Sequence, residues 1–145
     1  MSGTIPDNIG NLTNLNNLNL NNNGLTGPIP DNIGYLTKLT YLNLGGNKLN
    51  GKIPDNIGNL TKLTKLDLEV NQLTGPIPPS MSNLKDLTGL YLDDNKLSGK
   101  ITNLPPTISN CDLLPQLTTR GSPTSPFTCA PTITQTMKDR CDVCQ

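Results

Sequence analysis

Reactive side chains in this sequence fall into two groups, four cysteines near the C-terminus and a set of carboxylates between Asp67 and Asp94. Cys111, Cys129, Cys141 and Cys144 all lie within the last 35 residues. An even count in a loop-rich terminus reads as a disulfide staple formed in an oxidising compartment. Four cysteines allow three pairings, and the sequence does not choose among them. Cys141-Asp142-Val143-Cys144 has redox C-x-x-C spacing but lacks the strand–helix context that lowers a thiol pKa. A four-cysteine zinc site wants two close pairs, and only one pair here is close. The acids pair as Asp67 with Glu69 and Asp93 with Asp94. On an open strand surface nothing desolvates such pairs, so they read as solvated carboxylates rather than an acid–base couple. The chain has no histidine, which removes Ser-His and Cys-His nucleophiles and histidine-bound metals. It also has no phosphate-cradling glycine loop. Neither an enzyme activity nor a cofactor is expected.

What positions these groups is a repeat. Leu15–Lys38, Leu39–Lys62 and Leu63–Asp86 are three copies of one 24-residue unit, LTYLNLGGNKLNGKIPDNIGNLTK in the middle copy. Leu87–Asn110 starts a fourth copy and decays after Ile101, while residues 1–14 match the back half of a copy. Leu18, Leu42, Leu66 and Leu90 hold the period, as do Asn23, Asn47, Asn71 and Asn95. A fixed period of this size predicts a solenoid, and the frame LxxLxLxxNxL predicts leucine-rich repeats. In Asn17–Asn21 the leucines alternate with asparagines, so one face of a short strand is apolar and the other polar. Stacking coil on coil buries the apolar face and makes a parallel sheet. The Asn column should turn its amides inward to satisfy backbone groups where each strand ends. Gly27, Gly51, Gly75 and Gly99 fall where the backbone reverses and positive φ is needed. Each Ile-Pro pair supplies an apolar anchor and an extended residue before proline.

The unit LxxLxLxxNxLTGPIPxxIGxLTx resembles the plant-type subclass of leucine-rich repeats, found in receptor-kinase ectodomains, polygalacturonase inhibitors and related secreted proteins. The resemblance covers residues 1 to about 104. It implies a right-handed leucine-rich-repeat solenoid, an α/β-type repeat that is mostly β, with a parallel β-sheet on its concave face. It further implies a second short strand at Thr26–Ile29 and Thr74–Ile77, and function on the concave strand face. Residues 105–145, with Cys111, the F-x-C-x-P segment Phe127–Pro131 and the closing C-x-x-C, loosely resemble the C-terminal caps of amoebozoan repeat proteins. The expected architecture is therefore a repeat region at 1–104 and a disulfide-stapled, cysteine-containing cap at 105–145. Leu114 falls one full period after Leu90, which places one degraded capping strand at about Cys111–Leu117.

Composition fits thin layers of Leu and Ile, since aromatics make up only 3% of the chain. Zero formal net charge gives no electrostatic footprint for nucleic acid or an anionic membrane. No apolar run approaches the 18 or so residues of a membrane-spanning helix. Met1-Ser2-Gly3 runs directly into repeat sequence with no signal peptide and no polar N-terminal cap. A bare end of that kind could stack on a second copy, giving a self-assembling structural glycoprotein as the alternative function. Two sequons, at Asn11 and Asn59, lie in the segment returning from the back of the coil and are candidate glycosylation sites.

The candidate ligand-binding positions are the polar sites alternating with the strand leucines. They are Asn17, Asn19 and Asn21, then Tyr41 and Asn43, then Lys65, Asp67 and Glu69, and finally Tyr91 and Asp93. These vary from coil to coil while the leucines stay fixed. The tyrosines offer flat amphipathic rings suited to sugar or peptide. A regular ice-binding lattice is not expected, because only the Asn17–Asn22 strand is uniformly asparagine. The sequence thus points to an extracellular or cell-surface, non-enzymatic module that binds a protein, peptide or glycan through its concave face.

Overall fold

The computed structural model describes residues 2–102, 104–113 and 127–129. In chain order its strands are β1 (Ser2–Thr4), β2 (Asn17–Asn19), β3 (Gly24–Pro28), β4 (Tyr41–Asn43), β5 (Lys48–Gly51) and β6 (Lys65–Asp67). They continue as β7 (Gln72–Gly75), β8 (Gly89–Tyr91), β9 (Lys96–Leu97), β10 (Gly99–Ile101), β11 (Asn110–Asp112) and β12 (Phe127–Cys129). Every pairing among these strands is parallel. The main sheet runs β11-β8-β6-β4-β2, a second sheet runs β1-β3-β5-β7-β9, and β10 pairs with β12. Between the second sheet and the next main strand, each of four coils makes a 3-10 turn: Asp7–Asn11, Asp31–Tyr35, Asp55–Asn59 and Pro79–Asn83. Proline precedes each turn in an extended or near-extended conformation, so the reversal starts from a fixed φ.

The core is a stack of like layers. Leu18 stands opposite Leu42, Leu42 opposite Leu66, and Leu66 opposite Leu90. Leu42, Leu44, Leu66, Leu68, Leu90 and Leu92 are fully buried, as are Ile33 and Ile57 from the 3-10 turns. Each such side chain contributes about 1.5–3 kcal/mol by leaving water, and none could do so without its neighbouring coil. Stability therefore resides in coil–coil contacts rather than in single coils.

The inner edge of the main strands is closed by the asparagine column. Asn71 Nδ2 donates to the carbonyls of Leu44, Leu68 and Glu69, while its Oδ1 accepts the N–H of Leu49. Asn47 and Asn95 repeat this pattern one coil away on either side. A threonine column adds to the register, with Thr64 Oγ1 donating to Thr40 O and Thr88 Oγ1 to Thr64 O. Gly27, Gly51 and Gly75 have φ between 74° and 77° and Gly99 has φ 111°, the backbone reversal expected at these positions.

Two expectations need correction. The second strand lies earlier than Thr26–Ile29 and Thr74–Ile77, at Gly24–Pro28 and Gln72–Gly75. Ile29 and Ile77 are instead buried anchors beyond the strand ends, because the prolines on either side of each cannot donate to a ladder. The last coil is also shorter than the period. Cys111, not Leu114, pairs with Leu90. Ile108 takes the place of Leu87, its N–H bonding Pro105 O as that of Leu87 bonds Leu84 O. Among the described residues no 3-10 turn intervenes in this coil, which accounts for the shortening. Leu113 is then fully buried beneath Leu92. Cys111 is disulfide-bonded and packs against the core cluster. The expected cap otherwise falls on residues outside the described set, including Cys141, Cys144 and the side chain of Cys129.

Candidate functional site

The polar face of the main sheet is built from columns that the register sets one coil apart. Tyr41 stands opposite Lys65, and Lys65 opposite Gly89. Without a side chain at Gly89, the Tyr91 ring leans across the gap; a Cβ there would meet Tyr91 Cε2 at 3.3 Å. Lys65 is thereby held between two rings, its Nζ 4.6 Å from the Tyr91 centroid and 5.6 Å from that of Tyr41. Both distances lie within cation–π range. Lys65 Nζ also lies 3.4 Å from Asp67 Oδ2. Asn43 Nδ2 donates to Tyr41 Oη at 3.1 Å and to Asp67 Oδ2 at 3.2 Å. Asn110 Nδ2 donates to Tyr91 Oη at 2.6 Å. Tyr41, Asn43, Lys65, Asp67 and Tyr91 thus form one connected cluster spanning three coils.

Asn17, Asn19 and Asn21 lie on the same face, all exposed, with Asn19 Oδ1 accepting the N–H of Asn21. They do not join the cluster. Asn43 and Asp67 are not the open contact positions expected, since both are buried beneath taller neighbours. Asn11 and Asn59 are exposed at the ends of their 3-10 turns.

The acids are not simply solvated either, which overturns the expectation of an environment without desolvation. Burial pushes Asp93 up to about 6, with repulsion from Asp112, Glu69 and Asp94 adding to it. Burial likewise raises Glu69, with Asp67, Asp112 and Asp94 pushing the same way and Lys65 opposing. Asp67 is only 6% exposed, yet its Oδ1 has no hydrogen-bond partner, and neither has Asp93 Oδ1. A carboxyl whose folded pKa is raised binds its proton more tightly in the native state. Its charge therefore costs stability as pH rises from the unfolded value through about 6, and costs nothing below both values. Asp93→Asn should accordingly raise the melting temperature by a few degrees at pH 7.5 and leave it unchanged at pH 3, as read by circular dichroism.

A left-handed column at Asn22, Gly46, Val70 and Asp94 borders this face, with φ between 50° and 66°. Asparagine, glycine and aspartate tolerate that conformation, but a β-branched residue is strained there. Val70 is nevertheless 47% exposed. The spacing of Asn22, Gly46 and Asp94 was a sequence signal for the column; Asn110 and Asp112 carried none, because the shortened last coil moves them into place.

With this geometry established, comparisons place the chain. The family model for the leucine-rich repeat matches residues 14–36, 38–60 and 62–84. The chain is a leucine-rich-repeat protein. Similar solved structures are plant receptor ectodomains. The ectodomain of the membrane receptor kinase GASSHO1/SCHENGEN3 from Arabidopsis thaliana, in complex with Casparian strip integrity factor 2, is 35% identical, with TM-score 0.68. That match covers 79% of this chain and 15% of the receptor chain. The ectodomain of the Arabidopsis thaliana receptor kinase SOBIR1 is 39% identical with TM-score 0.64, over 68% of this chain and 53% of that one. The plant peptide hormone receptor RGFR1, in complex with RGF2, is 35% identical with TM-score 0.61, over 78% and 22%. The leucine-rich-repeat chain therefore spans from under a quarter to about half the length of these relatives. Comparison with curated protein sequences returns no match. No helix among the described residues is long and apolar enough to cross a membrane.

Proposed function

We propose that this leucine-rich-repeat protein is an extracellular, non-enzymatic binding module that recognises a peptide or protein through the polar face of its main sheet. The observation that carries this reading is the Tyr41–Lys65–Tyr91 stack. Two amphipathic rings and a cation are fixed in place by the coil register rather than by flexible loops. Rigid tyrosines supply contact area at low entropic cost, which suits them to be binding anchors. The similar GASSHO1/SCHENGEN3 ectodomain and the peptide hormone receptor RGFR1 were solved as complexes with Casparian strip integrity factor 2 and RGF2, which favours a peptide or protein over a glycan. Asn17, Asn19 and Asn21 extend the same face toward the first coils and would contact the rest of the ligand.

A displayed random-peptide selection against the folded chain provides binders for the test. Tyr41→Ala/Tyr91→Ala should weaken them by about 30-fold or more, the effect of losing a central aromatic anchor. The thermal melt should change little, because both rings lie outside the leucine core. Selected peptides that bind the double variant as well as they bind the original would overturn the reading.

A further inference from the structure

At Val70 the backbone and the side chain make opposite demands. The left-handed column suits asparagine, aspartate or glycine, and Asn22, Gly46 and Asp94 supply them, whereas Val70 holds φ 51° with a branched Cβ. The chain cannot relax there. Val70 N–H donates to Asp93 O at 3.0 Å, and Val70 O accepts the N–H of Asn47 at 3.1 Å, so its backbone is tied to the coils on both sides. The next residue, Asn71, is clamped by its own four side-chain bonds. Strain of this kind persists only where the surrounding structure enforces it.

The fold gains little from the valine in return. Its side chain is 47% exposed and lies outside the leucine core. The column explains the exposure. A Cβ on Gly46 would run into the Asn22 side chain one coil back. Val70, one period on, looks back in the same way toward Gly46 and meets no side chain there. One flank of the isopropyl group is therefore open. The other large exposed hydrophobics, Leu12 and Tyr35, stand at the ends of 3-10 turns instead. An exposed aliphatic group is stabilised by being covered, and it offers a ligand neither donor nor acceptor. What covers it is therefore itself apolar.

We propose that Val70 is a second anchor of the peptide-binding face and seats an apolar side chain of the ligand. This rests on the peptide-binding reading of the face and adds to it the chemistry that the ligand must carry. Val70 follows Lys65 by five positions on one coil, a separation of at most about 16 Å at the rise of a strand. A peptide lying extended from the Tyr41–Lys65–Tyr91 stack covers that distance with about five residues. Its sequence should pair a residue that meets the tyrosine rings with leucine, isoleucine, valine or methionine about five positions away. The valine thus destabilises the free chain in favour of binding.

The test uses random peptides selected on the folded chain whose binding is lost in Tyr41→Ala/Tyr91→Ala. Val70→Asn, which copies Asn22 of the same column, should raise the melting temperature by about 4 °C through relieved strain. It should also weaken these peptides about tenfold, the effect of losing part of the burial of one valine. Val70→Thr keeps the branch and the shape but adds a hydroxyl, so it should weaken binding without stabilising the chain. Replacing the apolar residue of the peptide by alanine should weaken binding to the original chain about tenfold and cost little more in Val70→Asn, as contacting residues do. Stabilisation with undiminished binding would overturn the anchor while leaving the face intact. Full additivity of the Val70 and peptide substitutions would do the same. A Val70→Asn chain no more stable than the original would also overturn it, since the valine would then carry no strain for binding to explain. If no selected peptide depends on the tyrosines, the reading of the face fails and the anchor falls with it.

Discussion

Asn71→Ala should lower unfolding free energy by about 3 kcal/mol, at the top of the range for stranding buried polar groups, and should be among the most damaging single substitutions in the repeats. The side chain is 4% exposed and bonds four backbone groups across two coils. Alanine leaves the Leu49 N–H and the Leu44 carbonyl without these partners, in a place water cannot reach without opening the stack. Asn23 is the internal comparison. It stands two coils before Asn71, is half-buried, and among the described residues donates to carbonyls of its own coil, Leu20 and Asn21. Asn23→Ala should cost about 1 kcal/mol, the ordinary net value of a hydrogen bond. Urea denaturation followed by circular dichroism reads both. Equal losses at the two positions would mean that the column acts locally rather than by joining coils.

The asparagine column and the glycine turns were legible in the sequence because each answers to its own coil. A fixed period carries the same residue to the same backbone conformation, so Asn23 or Gly27 predicts Asn71 or Gly75. Burial on the polar face was not legible in this way. Alternation correctly sends Asn43 and Asp67 away from the leucines, but whether they meet solvent depends on the heights of Tyr41, Lys65 and Tyr91 beside them. Those are neighbours across coils, a full period away in sequence or diagonal to that. The desolvation that raises Asp93 and Glu69 has the same cross-coil origin. Reading the outward positions as columns, Asn19-Asn43-Asp67-Tyr91, would have shown an amide and a carboxylate enclosed by longer side chains. The misplaced last strand has a different cause. Counting one full period from Leu90 assumed a 3-10 turn, which the described residues of the proline-containing stretch between Ile101 and Ile108 do not form.

Gly58→Ala tests the other side of the solenoid, where the coils approach most closely. Gly10, Gly34 and Gly58 recur in the 3-10 turns, and a Cβ on Gly58 would lie 2.6 Å from both the carbonyl oxygen and the Cβ of Ser80. Neither atom is the end of a flexible side chain, so relief requires the turn Asp55–Asn59 to move away from Pro79–Asn83. That movement would pull Ile57 and Met81, both fully buried, out of register. Overpacking of this kind costs about 1–3 kcal/mol where side chains can adjust, and backbone contact places Gly58→Ala at or above the upper end. Gly89→Ala is the contrast, since its Cβ would meet only the Tyr91 and Lys65 side chains at 3.3 Å or more. The two differ in kind as well as size. A repeat array is held by nearest-neighbour interfaces, so a wedge at Gly58 weakens the joint between two coils more than either coil itself. Hydrogen exchange should therefore quicken first in Leu39–Leu44 and Leu63–Leu68, the strands of the two coils that meet at that joint, while Leu87–Leu92 keeps its protection. Uniform loss of protection along the whole chain would show instead that the coils unfold as one unit.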